Sequence, residues 1–174
     1  KDISFNSEIL LKNIKNEVDR LSEMHLNMLS KFNVKVFSGW GNFIDQNLVE
    51  ITCSKTGNVI NRIKGERILI SVGGKPNKLR ISGSEFLWSS NEVFKLNKFP
   101  SSILIVGGGY IACEFACIFN NLGIDVTQVI RSNNLLNGFD SDLSSSLKET
   151  IVSSGIDLLF NEELDSVNKR GKLL

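Results

Sequence analysis

Ile103-Leu104-Ile105-Val106-Gly107-Gly108-Gly109-Tyr110-Ile111-Ala112 is the stretch whose reading decides the fold. Four apolar residues in a row predict a buried strand, three glycines a tight turn, and Tyr110 onward the first turn of a helix. The spacing Gly107-x-Gly109-x-x-Ala112 has a mechanical meaning. Gly107 permits the turn out of the strand. Gly109, lacking Cβ, lets backbone approach a pyrophosphate, and Ala112 keeps the helix close to the strand. A helix N-terminus there presents free N–H groups and partial positive charge to phosphate. A glycine pattern alone is weak, and a flexible turn is the plain alternative; its weight comes from lying between a strand and a helix.

Downstream the pattern continues as helix 110–122, strand 125–130, helix 141–153 and strand 156–160. With strand 103–106 this is βαβαβ, the first half of a doubly wound α/β sheet of Rossmann type. Arg131 ends the second strand, where an NAD-binding protein offers an acid to the ribose 2′-hydroxyl. A guanidinium there grips a 2′-phosphate instead, which predicts NADPH over NADH. The plain alternative is a solvated surface arginine.

Upstream, Ser7 to about Lys31 has helical periodicity, with Ile14, Val18, Leu21 and Met28 on one face and Asn6 or Ser7 as the cap. Val34-Lys35-Val36-Phe37 alternates as a strand, and Gly39-Trp40-Gly41 reads as a break. Leu48–Cys53 and Val59–Ile63 flank Thr56-Gly57-Asn58 as a hairpin. Arg67–Val72, apolar on both faces and ending in Gly73-Gly74, predicts a central parallel strand. Lys75 to about Pro100 is polar and reads as a crossing, so the predicted domains are 1–74 and 75–174.

Composition excludes several classes. The 174 residues carry 20 basic against 19 acidic groups, which leaves no electrostatic footprint for nucleic acid or an anionic membrane. No apolar run spans a bilayer, and the opening Lys1-Asp2-Ile3-Ser4-Phe5-Asn6 is not a signal sequence. Cys53, Cys113 and Cys117 show no metal or CxxC spacing, so a reducing, cytoplasmic setting and no metal are expected. Cys113 and Cys117 share a helical face, but adjacent turns hold them too far apart for a relaxed bridge. His25, the one histidine, lies in the first helix with no nucleophile or orienting acid beside it.

Several pieces in order resemble the pyridine-nucleotide disulfide oxidoreductases of class I, and within them the glutathione reductase type. Ile68 through Gly73-Gly74-Lys75-Pro76 is similar to the family's ATGG-x-P segment, and Ser90-Asn91-Glu92-Val93-Phe94 with Leu96 and Pro100 to its lead-in to the NADPH domain. Gly107 through Ala116 looks like the NADPH loop and helix, and Arg131 through Leu135-Leu136-Asn137-Gly138-Phe139-Asp140 like the R…LRGFD run. The resemblance implies an NADPH-dependent flavoprotein that reduces a small disulfide, glutathione disulfide foremost, through FAD and a redox cysteine pair, as a homodimer.

By the same resemblance Tyr110 covers the nicotinamide pocket and Glu114 lies beside the carboxamide. Gly107, Gly109, Ile111, Arg131 and Asn137 complete the NADPH contacts; Trp40, Gly41, Val72 and Gly73 are FAD contacts. Two positions depart from the family: its second phosphate-binding arginine is Asn137 here, and its threonine before the glycine pair is Val72. The N-terminal Cys-x4-Cys, the FAD glycine fingerprint and the C-terminal histidine have no counterpart in these residues. The expectation is an internal piece of a larger enzyme, inactive alone and without catalytic residues of its own. The alternatives are a sibling enzyme (lipoamide dehydrogenase, mercuric, trypanothione or large thioredoxin reductase) or a non-catalytic nucleotide-binding module. Arg131 and the Gly-Phe-Asp run argue against the NAD-using lipoamide enzyme.

Overall fold

A computed structural model describes residues 6–170, and most of the opening stretch weighed as a signal sequence lies outside them. The chain divides into two compact units: residues 15–76, and residues 77–174 joined by 1–14.

In the smaller unit, β1 (Trp40–Asp45), β2 (Leu48–Thr52) and β3 (Val59–Lys64) form an antiparallel sheet in that order. The β2–β3 turn closes at Gly57, with φ 72°, as the Cys53 carbonyl accepts from the Gly57 N–H over 2.8 Å. Helix α1 (Ser7–Lys31) straddles the division between the units. Its start is capped by Asn6, whose Oδ1 accepts from Glu8 and Ile9 N–H at 3.0 and 3.1 Å. Val18, Leu21 and Met28 share a face, as the periodicity predicts, but stand exposed.

Three expectations in this part are corrected. Residues 34–37 are not a strand, because no neighbouring strand pairs with them among the described residues. Gly39-Trp40-Gly41 is not a break, since Trp40 and Gly41 open β1 and pair with Thr52 and Ile51. Arg67–Val72 is not a strand either; Leu69 and Val72 are 87% and 88% exposed. A run apolar on both faces needs a strand on each side to become a central strand, and none pairs with it among the described residues.

The larger unit holds β4 (Ser102–Val106), α3 (Tyr110–Asn121), β5 (Asp125–Ile130), α4 (Ser141–Ser153) and β6 (Asp157–Phe160). The three strands are parallel in the order β4-β5-β6, with Val106 opposite Val129 and Ile130 opposite Phe160. The predicted βαβαβ is therefore present, with boundaries shifted by a residue. The crossing that precedes it contains α2 (Ser90–Val93), started by a capping box between Ser89 and Glu92.

One sheet face packs under α3 and α4. Ile103, Ile105, Val126, Ile130, Leu158 and Phe160 meet Ala116, Phe119 and Ile151 in a single core. The apolar run of β4 predicts a buried strand, and here too the structure differs: Leu104 and Val106 are exposed. Among the described residues it is an edge strand, and the helices cover only the face that carries Ile103 and Ile105.

Candidate dinucleotide-binding site

The site is the turn between β4 and α3. Gly107 has φ 128°, a conformation that disfavours any side chain. Its N–H donates to the Val129 carbonyl over 2.8 Å, which extends the β4–β5 ladder one residue into the turn. Gly108 is held low on β5: a Cβ there would stand 2.9 Å from Cγ2 of Ile130. Gly109 differs from both. It is the N-cap of α3 with ordinary extended backbone, and a Cβ on it would meet nothing within 4 Å. The sequence assigns close ligand approach to Gly109, and the structure leaves the space in front of Gly109 open.

The three carbonyls of the turn are all committed to the protein. Gly107 O accepts from the side-chain amide of Gln128 over 2.8 Å. Gly108 O accepts from the Leu136 N–H over 2.7 Å, and Gly109 O takes the first helical bond, from Cys113 N–H over 3.1 Å. The Cys113 thiol adds a long contact of 3.9 Å to Gly108 O. Because Gly109 has no side chain to cap α3, the first-turn N–H groups of the helix have no intrahelical partner and no cap. Such an end attracts an anion.

Tyr110, Ile111 and Glu114 lie on the exposed side of α3, while Cys113, Ala116 and Phe119 form its buried stripe. Tyr110 is 59% exposed, so it packs into no core. Burial pushes the Cys113 thiol up, and all three cysteines are free.

Arg131 follows Ile130 directly, and Ile130 is the residue against which Gly108 rests. The arginine is exposed and makes no ion pair among the described residues. The loop after it is fixed by its two leucines. Leu135 and Leu136 are buried, Leu136 in the left-handed region at φ 52°, and the Ser144 hydroxyl donates to Leu135 O over 2.7 Å. Asn137 is exposed in the following turn. Asp140 closes the run as the N-cap of α4, its Oδ1 accepting from Asp142 and Leu143 N–H. So the glycine turn and the Arg131–Asp140 loop meet through backbone.

The remaining predicted contacts lie in the smaller unit. Trp40, 68% exposed, and Gly41 are on β1. Val72 and Gly73 are in the irregular segment after β3, Gly73 with φ 71°. His25 is exposed on α1.

The sequence reading overlooked Gly108, Gln128 and Leu136. Gln128 had a legible signal: it is polar at a position whose neighbours in period two, Val126 and Ile130, are apolar and buried. Leu136 had none, because its role is carried by the backbone.

A parallel βαβαβ sheet with an uncapped glycine turn and a cation after the second strand defines a dinucleotide-binding protein. The chain belongs to the pyridine nucleotide-disulphide oxidoreductase family, whose profile matches residues 2–174. This is a family of FAD- and NADPH-using oxidoreductases. Over 154 residues the chain is 38% identical to a glutathione reductase of Nostoc sp., covering 88% of this chain and 32% of the relative. A trypanothione reductase of Trypanosoma congolense is 40% identical over 134 residues, 74% of this chain and 27% of the relative. Among solved structures, the Cu(II) complex of the HOCl-induced flavoprotein disulfide reductase RclA from Escherichia coli superposes with a TM-score of 0.83. It is 23% identical, and the match covers 95% of this chain and 38% of that one. The chain spans about a third of the length of the curated relatives it matches.

Proposed function

We propose that this chain supplies the NADPH-binding half-domain, and part of the FAD-binding domain, of a flavoprotein disulfide reductase of the glutathione reductase type. The observation that carries the reading is the pairing of an open, uncapped α3 N-terminus at Gly109 with Arg131, one residue past Ile130 and without an ion pair among the described residues. The first binds a pyrophosphate through N–H groups and the helix dipole; the second binds a 2′-phosphate through charge-assisted hydrogen bonds. When bound, NADPH and FAD supply hydride transfer.

The chain's own residues bind and orient. Gly107, Gly109 and Ile111 present backbone to the pyrophosphate. Arg131, with Asn137 in the place of a second cation, selects the phosphorylated ribose. Tyr110 and Glu114, one helical turn apart on the exposed side of α3, contact the nicotinamide end. Trp40, Gly41, Val72 and Gly73 contribute to FAD binding. By this reading residues 1–74 belong to the FAD domain and 75–174 to the NADPH domain. The redox cysteine pair and the disulfide subsite belong to the rest of a homodimeric, cytoplasmic enzyme.

The test uses the full-length protein. A yellow flavin band, bleached under anaerobic conditions by NADPH but not by equal NADH, is expected, followed by turnover with glutathione disulfide. A trypanothione reductase and a mercuric reductase also match, so trypanothione disulfide and Hg(II) belong in the substrate panel. Absence of flavin, or bleaching by NADH alone, overturns the reading; turnover only with another substrate moves it to a sibling enzyme.

A further inference from the structure

We propose that Gln128 is a positioning residue of the dinucleotide site, whose side-chain amide aims the N–H groups of the glycine turn at the ligand. The inference rests on the dinucleotide reading above. Gln128 is on the central strand β5, fully buried, in register with Ile105 and Leu158. Its face of the sheet is otherwise apolar: Ile103, Ile105, Val126, Ile130, Leu158 and Phe160. A polar side chain at such a place costs free energy unless its groups are paired. Gln128 is only partly compensated. Its Nε2 reaches Gly107 O at 2.8 Å and the Cys113 sulfur at 3.7 Å, while its Oε1 is buried without a partner among the described residues. A leucine or methionine would fill the position without that cost. A local rule broken in this way points to a function that the amide performs.

The geometry shows what it performs. A carbonyl only accepts, so the amide end that meets Gly107 is the NH2 group. In a trans peptide the C=O of one residue and the N–H of the next point to opposite sides, and no peptide bond here is cis. Holding Gly107 O inward therefore turns the Gly108 N–H outward. The Leu136 N–H does the same at the next peptide: it holds Gly108 O and so turns out the Gly109 N–H. Neither outward N–H has a backbone acceptor among the described residues. Gly107 has φ 128° and no side chain to restrain it, so without Gln128 the carbonyl of this peptide loses the hydrogen bond that holds it inward. Two N–H groups fixed before the anion arrives bind it better than two that must be ordered by it.

The experiment takes the full-length protein with Gln128→Met and Gln128→Leu, both close to glutamine in volume and lacking the donor. Affinities for NADP+ and for 2′-AMP, which carries the 2′-phosphate but no pyrophosphate, are measured by calorimetry. Both variants are expected to bind NADP+ about three- to tenfold more weakly, the effect of losing one neutral hydrogen bond, with 2′-AMP unchanged. In turnover KM for NADPH rises by the same factor while kcat at saturation holds. Unchanged NADP+ affinity, or equal weakening of both ligands, overturns the positioning role. A wild-type protein that binds no NADP+ removes the dinucleotide reading itself, and the inference falls with it.

Discussion

Gly108 rests on Ile130 so closely that a Cβ would come within 2.9 Å of Cγ2, whereas the same atom built on Gly109, one residue on, meets nothing within 4 Å. Adjacent glycines thus serve different masters. The first lets the turn settle on β5, and the second leaves space for a ligand.

Alanine substitution separates them. Gly108→Ala forces the turn off Ile130 and is expected to cost about 1–3 kcal/mol of stability, read as a lowered thermal midpoint. Gly109→Ala keeps the midpoint, because its backbone suits any residue, but weakens NADP+ binding about tenfold or more by putting a methyl where phosphate should lie. Equal midpoints for the two variants would contradict this division.

Arg131→Glu replaces the phosphate-binding cation by the acid expected of an NAD site. Loss of a charge-assisted contact raises KM for NADPH about 10- to 100-fold, while KM for NADH stays level or falls. An unchanged ratio of the two, in steady-state kinetics, would remove Arg131 from the site.

Asn137→Arg restores a second cation in the loop that follows. The added charge is exposed, so the gain is modest: about two- to fivefold lower KM for NADPH, and none for NADH.

Asp140 owes its place to α4. Asp140→Ala removes the acceptor for the Asp142 and Leu143 N–H groups and should cost about 1 kcal/mol, whereas Asp140→Asn keeps most of it. Denaturant melts compare the two; equal loss would mean that charge, not capping, matters there.

The cysteines should alkylate in a defined order. The Thr56 hydroxyl and the Lys55 and Thr56 backbone hold the Cys53 thiol below its ordinary range, while burial pushes Cys113 up. The thiolate is the reactive form. As pH falls from about 9 to 7, both thiols lose reactivity, and Cys53 retains the larger share of its own. Peptide mass spectrometry after iodoacetamide reads this directly, and faster labelling of Cys113 would contradict it.

The legible part of the fold is the part whose signals are local. The apolar run that ends at Gly107–Gly109 and the alternation of strand and helix periodicities after it locate β4, α3, β5 and α4 to within a residue. The misread segments are those whose state depends on a neighbour. Val34–Phe37 and Arg67–Val72 have the composition of strands, and composition does not supply a pairing partner. Strand β4 looks buried in sequence because Ile103–Val106 is apolar throughout, yet only alternate residues meet the helices.

The sequence by itself determined a strand–turn–helix with small residues at the phosphate end and a cation after the next strand, because turn sterics and periodicity act between residues close along the chain. Only the tertiary structure decided which glycine is pressed against Ile130 and which faces open space. It alone brought Gln128 and Leu136, 21 and 28 residues downstream of Gly107 and Gly108, onto the two carbonyls that orient the turn. Those bonds cross between β5, the Arg131–Asp140 loop and the glycine turn, and parallel strand pairing is what sets their register.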